Sequence, residues 1–385
     1  MARNSEFYKG RRKKRSYAII PAAVIIGLIV LTVVLFYSMQ QYAVISKDGV
    51  SVELPLLKST EGTTLDAEGN VVRVFDEVDA SITFDDPDYS GVEAQAGADV
   101  PAMRAIYVAS ENITADKLNE YADRLSVGNA LVLEMKPVSG NLMWDSQAQA
   151  ARSYGLYVET DQTRQIPELI AGLKSREDKQ IYLVAEINVC RDALYASRCT
   201  TVCLRTENGG NYTDDEGSWL DPYNTELRQY VVEMCRELYD MGFDEVVLAN
   251  VQHPTISDEK TKLVYTRDMS SPPSAVNAVC GFAVSVADAL QDRAGRLSIY
   301  CYSRKALVGP DTSNGQDAVL FMKLFDRVYH PTDKGTYVYN MEDITPRVTL
   351  GQAEYRFVPV VINYLPSPSD SISWVLIDKE EKTQD

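Results

Sequence analysis

The segments Trp219-Leu-Asp-Pro-Tyr-Asn224 and Gly242-Phe-Asp-Glu-Val-Val-Leu-Ala-Asn-Val-Gln-His-Pro254 decide the fold. Between them, residues 224–241 place their apolar side chains on one helical face, with Asn224 as N-cap and Gly242 just past the end. Residues 246–248 follow as a short apolar strand. A helix that leads into a buried strand is typical of a parallel α/β sheet. Ligands then gather beyond the carboxyl end of the strand, where Ala249–His253 fall.

The same alternation of strands and helices extends from Met103 to Asn363. The expected strands are 104–109, 130–136, 180–189, 245–249, 297–302, 326–329 and 357–363, and the expected helices are 115–126, 166–175, 224–241 and 274–293. No glycine-rich phosphate loop follows the first strand, which argues against a dinucleotide fold. We therefore predict an α/β fold, a TIM-type (β/α)8-like barrel. Its C-terminal end is either incomplete or closed by residues 373–378.

The N-terminal region predicts a membrane protein. Five consecutive basic residues, 11–15, precede a mostly apolar stretch, 17–42, which is long enough to span a bilayer. The basic segment 1–16 should stay cytoplasmic and the rest should be exported, which makes this a single-pass protein of the cell membrane with an extracellular domain. A cleaved signal peptide is the alternative to a signal anchor.

The exported part divides by composition. Residues 43–100 are acidic and predict a stalk, in which 50–57 and 71–75 pair as a small hairpin. Residues 101–378 form the barrel domain, and 379–385 a solvated tail.

Charge and motif content exclude several functions. The net charge is −17, and after residue 16 the chain has 31 basic and 54 acidic residues, a net charge of −23, so nucleic-acid binding is not expected. There is no cofactor motif and no paired C-x-x-C, so we expect neither cofactor nor metal. Cys235, Cys280 and Cys301 fit buried free thiols, and one disulfide among Cys190, Cys199 and Cys203 is left open.

Several motifs resemble a known family. They are Ala130–Lys136 with Gly140, Trp219-x-Asp-Pro-Tyr223, Gly242-Phe-Asp-Glu245, Gly315-Gln-Asp317 and Asp326–Pro331. Together they are similar to the bacterial, often membrane-anchored, glycosyl-hydrolase-like domains of the DUF4015 type, for which a TIM barrel is predicted. The resemblance implies a glycoside hydrolase or carbohydrate-binding domain that acts on cell-envelope polysaccharide.

The chain departs from the family pattern at the expected active site. Ala249 stands where the family has a strand-end aspartate, Gln252 stands in place of an arginine, and Tyr300 stands in place of another aspartate. Alanine can neither protonate a leaving group nor attack a sugar. The resemblance therefore leaves three alternatives open: a weak hydrolase, a catalytically inactive sugar binder (a pseudoenzyme), and a non-catalytic scaffold or interaction protein.

Two glutamates are candidates to replace the missing acids, because glycoside hydrolysis requires two carboxylates that flank the bond to be broken. Glu134 and Glu186 lie near the ends of their strands and can face the same mouth. The alternative for Glu134 is an ion pair with Lys136, two residues on along the same strand face. The alternative for Glu186 is a salt bridge lining the barrel.

The expected ligand-binding residues are aromatic or polar side chains near strand ends. Trp219 and Tyr223, with Trp144, suit stacking on pyranose rings, although core packing is the alternative. Asp221 either binds ligand or starts the helix with Pro222. His253 and His330 each precede a proline just past a strand and suit acid–base or ligand contacts near neutral pH. Gln252 and Tyr300 are also expected to bind ligand, because they lie near strand ends where the family has an arginine and an aspartate.

Overall fold

The computed structural model describes residues 43–46, 49–52, 63–65, 71–73, 100–125, 129–215, 217–256, 263–264, 274–344, 354–366 and 371–378. Two compact units divide the chain, residues 1–81 and 82–385. In the first unit, Ala43–Ser46 pairs antiparallel with Gly49–Val52, and Thr63–Leu65 pairs with Val71–Arg73. Among the described residues, the structure therefore has two local hairpins and lacks the predicted pairing of 50–57 with 71–75. Local hairpins have shorter loops, and a shorter loop costs less entropy to close.

No helix in the described part of the chain is long and apolar enough to cross a bilayer. The predicted membrane span 17–42, the basic segment 1–16 and the tail 379–385 lie outside the described residues. The membrane anchor therefore stays a prediction.

The second unit is built on a closed barrel of eight parallel strands. The strands are β1 (Arg104–Val108), β2 (Ala130–Lys136), β3 (Tyr182–Asn188), β4 (Glu245–Ala249), β5 (Arg296–Tyr300), β6 (Val328–Pro331), β7 (Phe357–Ile362) and β8 (Trp374–Ile377). Each pairs with the next along the chain, and β8 pairs with β1, with Trp374 opposite Arg104. The TIM-type barrel is confirmed. It is complete, because residues 373–378 supply the closing strand.

Helices connect the strands on the outside of the barrel. They are α1 (Ala115–Asp123), α2 (Gln149–Tyr154), α3 (Asp161–Lys174), α4 (Ala193–Arg198), α5 (Thr225–Met241), α6 (Ala275–Ala289), α7 (Lys305–Val308), α8 (Ala318–Leu324) and α9 (Tyr337–Ile344). The predicted helix 166–175 begins earlier, because Thr160 and Thr163 form a reciprocal capping box. The helices missed by the sequence have four to eight residues, too short to show a periodic apolar face.

The segment that decides the fold forms as expected. Asn224 caps α5 by accepting a hydrogen bond from the Leu227 amide at 3.0 Å, and Gly242 ends the helix with φ of 107°. That left-handed conformation suits glycine. The strand β4 follows, buried along its whole length. Helix and strand together form one αβ unit of the barrel wall.

Side chains alternate between two apolar layers. Outward residues of the strands, such as Leu131, Leu183 and Leu248, pack against the helices. Small and aromatic side chains fill the barrel interior: Ala105, Tyr107, Ala130, Val132, Val184, Val247, Ala249, Tyr300, Tyr329, Val358, Val360 and Val375. An eight-stranded barrel is just wide enough to be filled in this way. The interior is thus a packed core, open to ligand only at its ends.

A buried polar cluster occupies the amino-terminal end of the barrel. The carboxylate of Glu245 forms an ion pair with Arg327, and both side chains are fully buried. Glu245 also accepts hydrogen bonds from Tyr182 at 2.8 Å, Ser298 at 2.7 Å and Tyr329 at 2.8 Å. These contacts link β3, β4, β5 and β6 at their base.

Removal of the arginine should destabilise the domain strongly. In Arg327→Met the Glu245 carboxylate stays buried without its counter-charge, and we expect a loss of about 3–5 kcal/mol in the free energy of unfolding. Urea denaturation measures it. The control is Arg124→Met, which breaks the exposed pair with Asp378 and should cost less than about 1 kcal/mol. Equal losses in the two variants would contradict the structural role of this pair.

Candidate functional site

Two carboxylates lie side by side at the carboxyl-terminal mouth of the barrel. Glu134 of β2 is directly opposite Glu186 of β3 in the strand register. Neighbouring strands are about 4.8 Å apart, and both residues occupy inward positions, so their carboxyl groups are adjacent. Tyr107 of β1 lies beside them, and its hydroxyl donates a hydrogen bond to Glu186 Oε1 at 3.4 Å. The structure therefore brings together the two acids that the sequence nominated.

Glu186 is the more buried of the two acids, with 6% of its surface exposed. Its pKa is raised to about 7: burial raises the pKa most, the nearby charge of Glu134 also raises it, and hydrogen bonding from Tyr300 and Tyr107 lowers it. Its second oxygen, Oε2, is buried and has no hydrogen-bond partner among the described residues. A carboxyl group that keeps its proton near neutral pH and has a free oxygen suits a general acid.

Glu134 is held by the loop that follows β1. Its Oε2 accepts hydrogen bonds from the Ser110 amide at 3.0 Å and the Ser110 hydroxyl at 2.9 Å. The expected alternative, an ion pair with Lys136, is wrong. A register shift between positions 134 and 136 redirects the lysine, which pairs instead with the buried Asp192 at 2.7 Å. No described salt bridge includes Glu186, so the alternative proposed for that residue is not found either.

The two positions where acids are missing are buried in the barrel core. Ala249 is 1% exposed and Tyr300 is 5% exposed. The ring of Tyr300 stacks on Tyr302 and also contacts Tyr329, each at 5.3 Å between centroids. Burial raises the pKa of Tyr300 well above its ordinary value, so its phenol is neutral. Stacked tyrosines and an alanine thus fill the side of the mouth formed by β4 and β5.

Asn250 directly follows Ala249 and is not among the residues that the sequence predicts for the site. Its backbone is left-handed, with φ of 53°. Its side-chain amide donates a hydrogen bond to Asn188 Oδ1, and its backbone amide donates to the Tyr302 hydroxyl at 3.2 Å. The available signal was weak: asparagine tolerates this conformation better than most residues do.

Gln316, in the Gly315-Gln-Asp317 motif, fastens the ends of β4 and β5 together. It is fully buried, and its amide nitrogen donates to the carbonyl oxygens of Val251 and Tyr300, both at 3.0 Å. Its oxygen accepts from the Tyr302 amide at 2.7 Å. The motif therefore shapes the mouth through backbone contacts. Nearby, the predicted ligand residue Gln252 accepts a hydrogen bond from Asn314 at 3.4 Å.

Residues 105–330 match the family model described as “Putative glycosyl hydrolase domain” (DUF4015). The chain belongs to this family. A search of curated proteins finds no match to the sequence.

Solved structures with a similar fold include the glycoside hydrolase domain of PgaB (BpsB) from Bordetella bronchiseptica, at 11% identity and a TM-score of 0.50, covering 72% of this chain and 94% of that one. A hypothetical protein from Ruminiclostridium thermocellum is 21% identical with a TM-score of 0.42, covering 50% of this chain and 96% of that one. At these identities, the likeness to the Bordetella domain is one of fold.

The aromatic residues of the Trp-x-Asp-Pro-Tyr motif pack against protein. Trp219 is 4% exposed, its ring nitrogen donates to Asp214 at 2.7 Å, and the Arg191 guanidinium lies 4.9 Å from the ring centroid. Asp221 is fully buried and accepts from the Tyr223 amide at 2.8 Å, just before α5. These contacts fit the packing and helix-start alternatives. Trp144 is likewise buried and donates to Glu237.

The two histidines, His253 and His330, are buried, whereas the sequence predicts that they border the ligand cleft. His330 is on the outward side of β6, where its ring lies 5.7 Å from Phe357 and its Nδ1 donates to the Cys301 carbonyl at 2.7 Å. Burial lowers its pKa. Burial also lowers the pKa of His253 to about 4. Both imidazoles are therefore neutral at pH 7, and the expected role in acid–base chemistry near neutral pH does not fit their burial.

All six cysteines are buried free thiols. This confirms the expectation for Cys235, Cys280 and Cys301. It also resolves the open alternative for Cys190, Cys199 and Cys203, which form no disulfide in this structure.

The raised pKa of Glu186 should appear in the pH dependence of stability. The folded protein keeps this proton up to about pH 7, whereas the unfolded chain loses it near 4.5, so stability present at pH 4.5 is lost as the pH rises through 7. Glu186→Gln lacks this titration. Relative to the variant, the wild type should lose about 3 kcal/mol of unfolding free energy between pH 4.5 and 8. Denaturant titrations across this range measure it. A constant difference would show that the pKa is not raised.

Proposed function

We propose that this domain binds cell-envelope polysaccharide at the carboxyl-terminal mouth of its barrel and hydrolyses it slowly. The observation that carries the proposal is the pair Glu134 and Glu186, which face each other in register on neighbouring strands, with Glu186 Oε2 buried and unpartnered. Membership of the glycosyl-hydrolase-like family supports the same site, because ligands of such barrels bind at this end.

The pair divides the chemistry between a proton donor and a carboxylate. Glu186 holds a proton near neutral pH and can transfer it to the glycosidic oxygen as the bond to the anomeric carbon breaks. Glu134, oriented by Ser110, then attacks that carbon and forms a glycosyl ester. Water, deprotonated by Glu186, releases the sugar and restores both groups. The position of the two acids on neighbouring strands suits the short carboxylate separation of retaining enzymes, about 5–5.5 Å, better than the longer one of inverting enzymes.

Two features support the parts of the proposal that concern the slow rate of hydrolysis and the location at the cell envelope. Ala249 and Tyr300 leave the β4–β5 side of the mouth without carboxylates, so fewer groups stabilise the charge that develops on the sugar. The apolar segment 17–42 would anchor the chain in the cell membrane with the barrel outside, within reach of envelope glycans.

Binding and hydrolysis can be measured separately. The probes are purified cell-wall polysaccharide and three β-1,4-linked pentasaccharides that differ only at C2: hydroxyl, acetamido or ammonium. For any probe that the wild type cleaves, Glu186→Gln should lower the turnover rate at least a hundredfold and leave the dissociation constant within a few-fold. Glu134→Gln should do the same. The control is Glu168→Gln, on the exposed face of α3, which should behave as wild type.

The burial of Ala249 and Tyr300 favours a second candidate, a non-catalytic barrel. If the wild type binds glycan but releases reducing ends no faster than Glu186→Gln, the domain is a carbohydrate binder. If it binds none of the probes, the glycan proposal fails and a scaffold that recognises another partner replaces it.

A further inference from the structure

We propose that Asn250 is a glycan-contacting residue, whose side-chain carboxamide supplies at the β4 end the polar contact that alanine at position 249 cannot make. This inference rests on the proposed function, since it assigns a residue to the same sugar site. It concerns binding and gives Asn250 no part in bond cleavage.

The backbone of Asn250 is the first reason. Among the described residues, only Asn250 and Asn363 are left-handed without being glycine. This conformation is unfavourable for a residue with a side chain, and where it persists the surroundings impose it. Glycine would give the same backbone without strain. We therefore infer that the side chain at position 250 is present for the contacts that it makes.

The contacts of the side chain place it at the mouth. Asn250 Nδ2 donates to Asn188 Oδ1, and Asn188 in turn donates to the Lys136 carbonyl at 2.9 Å. Asn188 occupies an inward position of β3, two residues beyond Glu186 and about 6.6 Å further along the strand. Of the two polar atoms of the Asn250 side chain, the described hydrogen bonds use only Nδ2, and the residue is half-buried. Its Oδ1 is left as an acceptor at the rim.

Tyr302 connects this rim to the acid. Its hydroxyl oxygen accepts the Asn250 backbone amide, which leaves the hydroxyl proton to donate to another group. The charge of Glu186 contributes to raising the pKa of Tyr302, after burial, so the two groups are close enough to interact. Glu186 Oε2, the Tyr302 hydroxyl and Asn250 Oδ1 thus each offer a donor or an acceptor on this side of the mouth.

A carboxamide oxygen recognises hydrogen-bond donors. On a sugar these are hydroxyl groups, the N–H of an acetamido group, or an ammonium group at C2. Asn250 therefore favours neutral or amino sugars. Its oxygen offers nothing to a sugar carboxylate or phosphate, which the Glu134 carboxylate would also repel.

The test compares Asn250→Gly with Asn363→Gly. Both replace a left-handed asparagine at the end of a barrel strand with the residue that prefers that backbone. Thermal denaturation should show a midpoint equal to or above wild type for both variants. Isothermal titration with the cell-wall polysaccharide and the three pentasaccharides should show about tenfold weaker binding for Asn250→Gly alone, the loss expected for one hydrogen bond.

Each outcome separates this inference from the proposed function. Wild-type affinity in Asn250→Gly overturns the role of Asn250 and leaves the glycan site in place. An equal loss of affinity in both glycine variants also overturns it, since the effect would then come from the backbone. If wild-type protein binds none of the four probes, both proposals fall. Asn250→Ala, which keeps the strain and removes the amide, should bind as weakly as Asn250→Gly with a lower midpoint.

Discussion

The carboxylate of Glu245 at the base of the barrel links four strands, among them β3, which carries Glu186, and β4, which leads to Asn250. It forms an ion pair with Arg327 and accepts hydrogen bonds from the hydroxyl groups of Tyr182, Ser298 and Tyr329, which lie on three other strands. A carboxylate in a dry interior is tolerable only when its oxygens are fully hydrogen-bonded and its charge is balanced. Because the partners are spread over β3, β5 and β6, satisfying this charge also fixes the relative register of those strands.

At the opposite end of the barrel, a buried carboxyl group has no counter-ion in the part of the chain that the structure describes. Glu186 is buried too, yet among the described residues it has no cation, and one of its oxygens has no partner. Its protonation is the physical alternative to pairing, which is why burial raises its pKa to about 7. Glu245 at the base is thus neutralised by a cation, whereas Glu186 at the mouth, where substrates of such barrels bind, is an acid without one among the described residues.

The strands and helices of the barrel wall could be predicted, because helix caps and apolar periodicity are visible in the local sequence. The contacts between side chains at the mouth could not be predicted in this way. Asn224, the periodic face of α5 and Gly242 act within one helix and its ends, so spacing reveals them. Lys136 shows the limit: spacing placed it on the face of Glu134, but a register shift turned it toward Asp192, 56 residues away. Trp219 was ambiguous for a similar reason, since its burial depends on Arg191 and Asp214.

The departures from the family pattern point to a displacement of the polar site around the mouth. Ala249 and Tyr300 leave the ends of β4 and β5 at the mouth without carboxylates, and stacked tyrosine rings fill that side. The acids that remain are on β2 and β3, next to each other. Burial raises the pKa of Glu186, whereas hydrogen bonding from Tyr300, a member of that stack, lowers it. Among the residues that the structure describes, the mouth thus lacks carboxylates at the ends of β4 and β5 and keeps one pair, Glu134 and Glu186, on the β2–β3 side, and glycoside hydrolysis by two carboxylates needs one such pair.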